Sequence, residues 1–121
     1  MTEIPNPKKY DLEERTLQFA KKVVFFCRKL PKSINNIEHM KQVIRSSGSI
    51  GANYIEANES FSKKDFVMRI KICRKEAKES AYWLRLIIET NDSTIVIGGQ
   101  ELFTEATELK KIFSSIVEKS K

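Results

Sequence analysis

At 121 residues, with 31% charged and 40% apolar side chains, the chain is long enough for one domain with a real core and short for two. Four Gly and three Pro argue against a many-turned all-β sandwich or barrel, and two Cys with one His argue against a disulfide scaffold or a multi-histidine metal centre. The 22 Lys and Arg exceed the 16 Asp and Glu by six, a surplus that selects phosphate-rich or otherwise acidic partners only where it is clustered.

Residues 1–9 are polar, contain two prolines and read as a flexible tail; residues 10–121 read as a single four-helix-bundle domain. The opening Met1-Thr2-Glu3-Ile4-Pro5-Asn6-Pro7 has no apolar signal core, and no run approaches the roughly 18 apolar residues of a membrane span. A cytoplasmic protein with no membrane partner is therefore expected, with Cys27 and Cys73 as small core hydrophobes. The first helix is predicted to start at Asp11 as N-cap and to end at Pro31. Its stripe is Leu12, Thr16, Ala20, Val23, Cys27 and Leu30, widened by Phe19 and Phe26.

The second helix is predicted over about 37–57, capped by Asn35 or Asn36, with Ile37, Met40, Val43, Ile44, Ser47, Ile50, Gly51, Tyr54 and Ile55 inward. Its middle, Ser46-Ser47-Gly48-Ser49-Ile50-Gly51-Ala52, either breaks the helix or lets a neighbour approach closely. The apolar period runs through the tract in phase, which favours a continuous helix. After the turn Asn58-Glu59-Ser60-Phe61, Ser62 and Asp65 resemble a capping box with Asp in place of Glu. The third helix then runs to about Thr90, with Phe66, Ile70, Cys73, Ala77, Ser80, Ala81, Leu84 and Ile88 inward. Within residues 94–99, Thr94-Ile95-Val96-Ile97 is β-branched and could be a strand, but with no partner strand the stretch reads as an apolar loop over the bundle end. The fourth helix is predicted over about 100–119, with Leu102, Ala106, Leu109, Phe113 and Ile116 inward. Four amphipathic helices with short connections predict an all-α, antiparallel up-down-up-down four-helix bundle.

Little in this pattern supports catalysis. His39 lacks a Glu three residues before it, no second His exists for a metal pair or a Ser–His triad, and no glycine loop could cradle a phosphate. No enzymatic activity and no cofactor are expected. Charge placement is more informative. Residues 8–32 hold eight Lys or Arg against three acids and residues 62–91 eight against four, whereas 36–58 and 98–121 are neutral. On the third helix Lys64, Lys71, Lys75, Lys78 and Arg85 share one face; on the first, Arg15, Lys22 and Lys29 repeat every seven residues. Such stripes either neutralise backbone phosphates or are ordinary solvated faces. No exposed aromatic series accompanies them in the sequence reading, so base stacking is not expected. Ile72, Trp83, Leu86 and Ile87 form a second apolar strip on the third helix, flanked by Arg69, Glu76 and Glu79, and point to a subunit interface. Arg45, Ser49, Asn53 and Glu56 line one face of the second helix as solvent surface or an interface network.

Arg45-Ser46-Ser47-Gly48-Ser49-Ile50-Gly51-Ala52-Asn53-Tyr54-Ile55-Glu56-Ala57, then Phe66, then Lys75-Glu76-Ala77-Lys78-Glu79-Ser80-Ala81-Tyr82-Trp83-Leu84, resembles the four-helix-bundle family of 23S rRNA intervening-sequence proteins over about residues 10–118. The segment around Asn53 and Glu56 is its most specific part. Asn58 stands where many members carry glycine, and Tyr54 where isoleucine is usual. The resemblance implies a ring-shaped homopentamer of antiparallel bundles, encoded within or apart from bacterial ribosomal RNA genes, with no activity established for most members. A related branch accompanies the reverse transcriptases of diversity-generating retroelements and contacts nucleic acid and the polymerase through basic surface. Carried over, Arg45, Asn53, Glu56, Glu76 and Glu79 become structural or interfacial residues. Two functions result: a homo-oligomer that binds RNA or DNA backbone, or a scaffold that docks a protein such as a reverse transcriptase.

Overall fold

The computed structural model describes residues 7–121, with side chains from Asp11 onward. Four helices follow in order: α1 (Pro7–Arg28), α2 (Ile34–Asn58), α3 (Lys63–Glu89) and α4 (Gly99–Lys119). No strand forms among the described residues; 94–98 is a turn whose Val96 is buried, and Gly99, expected in the loop, opens α4. Of the expected tail, residues 1–6 lie outside the described residues, while 7–9 belong to α1.

Local chemistry sets the boundaries. Ser33, not Asn35 or Asn36, caps α2: its hydroxyl accepts the Asn36 amide at 3.3 Å. Ser62 caps α3 as expected, accepting the Asp65 amide at 3.1 Å. Asp11 lies inside α1 and caps nothing. Asn58 closes α2 without a left-handed residue; its side-chain amide instead donates to Glu13 at 2.8 Å, tying the end of α2 to α1.

The helices pack in a cycle, α2 and α4 flanking α3 extensively and α1 leaning on α2 more than on α4. Cross-links run in opposite directions along α2 and α3. Asn36–Asn91 and Asn53–Arg69 mark the two ends of the α2–α3 seam. The core is the expected one for the most part: Phe19, Val23, Val43, Ile50, Ile70, Leu84, Leu109 and Phe113 are almost wholly buried. Three assignments change. Ile44 and Ile55 are exposed rather than inward, and Ile87, expected on the outer strip of α3, is fully buried. α2 and α3 meet over a face wide enough to take in Ile87, and the α2 positions one step off that face remain in water.

The small-residue tract of α2 is helical throughout. A Cβ on Gly51 would lie 2.9 Å from Thr16 Oγ1, so Gly51 is where α1 approaches. On the other flank Ser46 and Ser80 share one hydrogen bond at 2.7 Å between α2 and α3.

Candidate nucleic-acid and subunit interfaces

α3 displays its lysines outward because Ile70, Cys73, Ala77 and Leu84 turn the opposite face into the core. Lys64, Lys71, Lys75, Lys78 and Arg85 are all exposed, spread along roughly 32 Å of helix. Two of the five have intrahelical partners: Glu79 stands 3.9 Å from Lys75 and Glu89 2.8 Å from Arg85. The hydrogen bond from Arg85 to Glu89 is the main cause raising the guanidinium pKa. Exposed pairs of this kind contribute little and exchange readily for an incoming anion. The uncommitted charge therefore concentrates toward the N-terminal half of α3, where exposed Lys63 adds a cation that the sequence reading passed over.

The α1 stripe is placed differently. Arg15 donates through Nε and Nη2 to the two carboxylate oxygens of Glu105 on α4, at 2.7 and 2.8 Å. That hydrogen bonding is the largest influence on Arg15 and raises its pKa. Lys22 is exposed but borders the same α1–α4 groove as Glu101 and Glu105, and Lys29 sits in the turn after α1. The acids of α4 thus lie against one of the two basic stripes.

The subunit-interface candidates gather along the α2–α3 seam. Arg45 reaches Glu79 at 3.3 Å and the buried Glu76 at 3.5 Å. Glu76 Oε1 has no hydrogen-bond partner among the described residues. Asn53 donates to the carbonyl and hydroxyl of Ser49 and accepts from Arg69 Nη1 at 3.1 Å. The polar stripe of α2 is thereby knitted to α3 within one chain, an arrangement that spacing along α2 alone did not reveal. Glu56 remains exposed. Ile72, Trp83 and Leu86 are half-buried on the outer margin of the seam. The indole packs 5.9 Å from the His39 ring and meets Tyr82 edge-on at 5.1 Å.

A second apolar feature was not foreseen. Val24, Ile37, Met40 and Ile44 line an open groove of about 690 Å³ between α1 and α2, with Arg28, Lys32 and Lys41 at its margin. It exists because Ile44 misses the core. Cys27, also in its wall, is 2% exposed, and burial pushes its thiol up to about 11. Among the described residues no group of His, Cys, Asp and Glu is arranged to hold a metal ion, and no helix is long and apolar enough to cross a membrane.

Residues 8–115 match the family model described as 23S rRNA-intervening sequence protein. A comparison with curated proteins gives no match. Among solved structures, the chain is similar to a protein of unknown function from the S23 ribosomal protein family of Bacteroides thetaiotaomicron. The two share 33% identity over 87% of this chain and 96% of that one, with a TM-score of 0.75.

Proposed function

The chain belongs to the 23S rRNA-intervening sequence protein family, and from that premise we propose that it is a non-enzymatic, homo-oligomeric helical bundle of the cytoplasm whose α3 lysine face binds RNA or DNA backbone. The observation that carries the reading is the row Lys64, Lys71, Lys75, Lys78 and Arg85, exposed on one face of one helix. Cations spaced along a rigid rod displace condensed counterions from a polyanion, so binding is independent of base sequence and weakens steeply with salt. Five subunits, the number the family resemblance implies, would repeat this face and raise a weak affinity through avidity. The half-buried Trp83, Ile72 and Leu86 support self-contact along the α2–α3 seam.

A mobility shift on a labelled structured RNA tests the reading. The expected result is a complex at low salt that fades at physiological salt and is lost in a Lys71/Lys75/Lys78→Glu variant. Absence of a shift at low salt removes nucleic-acid binding from the account. The α1–α2 groove favours the second reading, a scaffold that seats a protein partner such as a polymerase on an apolar floor with a basic margin. Partner capture that survives nuclease treatment and is lost in Ile44→Glu would favour it.

A further inference from the structure

The lysine face of α3 also carries an aromatic side chain, and a second aromatic stands in the turn before the helix. Tyr82 follows Lys78 by four residues, Lys75 by seven and Lys71 by eleven, so it stands on the same face, and it is 60% exposed. Phe61 is fully exposed in the turn before α3, three residues ahead of Lys64. Met68, also exposed, lies between them and borders a shallow apolar recess with Lys63, Lys64, Val67 and Lys71. Water is a poor environment for a bare phenyl ring, and among the described residues no other aromatic ring packs against Phe61. Tyr82 meets Trp83 edge-on at 5.1 Å, a contact that limits the motion of a ring otherwise open to solvent.

We propose that this face is a binding site for single-stranded nucleic acid, with unpaired bases stacked on Phe61 and Tyr82 while Lys64, Lys71, Lys75 and Lys78 track the phosphates between them. The inference rests on the backbone-binding reading above and narrows it. Cations alone would accept a duplex or any polyanion. Exposed aromatic rings among cations add a preference for bases free to leave a stack, and do so without sequence selection, because every base offers a π-face. The distance from Lys64 to Tyr82 is roughly 27 Å along the helix axis, about eight stacked nucleotides.

The acids on or beside this face have local partners or lie off it. Glu79 is shared by Arg45 and Lys75, Glu89 pairs with Arg85, and Asp65 stands a quarter-turn from Lys64.

The test compares three fluorescent probes on the full chain at low salt: an oligothymidylate of about 12 nucleotides, a duplex of equal length, and inorganic polyphosphate, which has charge and no bases. Wild type should prefer the single strand. A Phe61→Ala/Tyr82→Ala variant, both positions being exposed, should keep its circular dichroism, lose about tenfold or more on the single strand, and bind polyphosphate unchanged. Tyr82→Phe should retain binding, and 2-aminopurine placed in the strand should be quenched by wild type but not by the double variant. Unchanged single-strand affinity in the double variant overturns the stacking site while leaving backbone binding intact. So does an aromatic-dependent preference for phosphatidylserine vesicles over the strand, or a change in the number of subunits per assembly in the double variant. If wild type binds none of the three polyanions, the backbone reading falls first and this inference with it.

Discussion

Gly51 and Gly48 stand one turn apart in α2, and their surroundings oppose each other. A Cβ at Gly51 would meet Thr16 Oγ1 at 2.9 Å and Thr16 Cβ at 3.4 Å. Thr16 cannot move aside cheaply, since its hydroxyl donates to the Leu12 and Glu13 carbonyls and its side chain is buried. Gly51→Ala should destabilise the bundle by about 1–3 kcal/mol in urea unfolding. Nothing lies within 4 Å of a Cβ at Gly48, so Gly48→Ala should stabilise it by about 0.5–1 kcal/mol through helix propensity alone. The cysteines make a prediction in pH. Burial raises the Cys27 thiol to about 11 and the Cys73 thiol to about 12. The folded values exceed the unfolded ones, so the stabilisation is complete below the ordinary thiol range near 9. It is lost as pH climbs from there toward 11–12, where only the unfolded chain ionises freely. Cys27→Ala/Cys73→Ala should flatten that alkaline decline in melting temperature.

At the scale of elements, the end of the bundle near Asn36 is fastened by two amides. Asn36 Nδ2 donates to Asn91 Oδ1 and Asn91 Nδ2 to Asn36 Oδ1, each at 2.9 Å. Asn36 also donates to the Pro31 carbonyl and Asn91 to that of Ile87, so the α1–α2 turn, the first turn of α2 and the last turn of α3 share one network. Asn36 is 1% exposed. Replacing Asn91 with Ala strands part of that buried amide and should cost about 1–3 kcal/mol. A double-mutant cycle with Asn36→Ala should show strong coupling, because the second deletion removes a group the first had already left unpaired. The Arg15–Glu105 bridge, although bidentate, is about a third exposed on both sides. Glu105→Gln should therefore cost no more than about 1 kcal/mol, and less in high salt.

For the whole molecule the question is which basic surface faces a partner. α1 and α3 lie diagonally in the packing cycle, so their stripes do not merge into one face. α4 sets Glu101 and Glu105 beside the α1 stripe. Lys22→Glu/Lys29→Glu should leave RNA affinity within about threefold of wild type, whereas reversing Lys71, Lys75 and Lys78 should abolish the shift at equal ionic strength. Reversing two lysines on α1 and three on α3 would then give results out of proportion to the charge removed, which a surplus of +6 spread evenly over the molecule would not. Mass measurement in solution addresses the seam: the expected species is several times 14.0 kDa, and a Leu86→Glu variant with intact helicity should shift it toward a single chain.

The sequence by itself determined the four helices, their near-complete core and the outward row of lysines, because each follows from a period of 3.6 that one helix carries alone. Continuity of α2 through Ser46–Ala52 was legible for the same reason. The spacing of Tyr82 from Lys71, Lys75 and Lys78 is written in the chain, but its exposure is not: the expectation of no exposed aromatic beside the lysines is corrected by the packing, which leaves the ring 60% exposed. What the tertiary structure decided is what lies opposite each face. The position of α4 neutralises Arg15, and that of α3 ties down Arg45 and Asn53. The breadth of the α2–α3 contact buries Ile87 and leaves Ile44 to form a groove. Those outcomes depend on the rotation of one helix against the next, and amphipathic periodicity constrains that rotation only to within the width of a stripe.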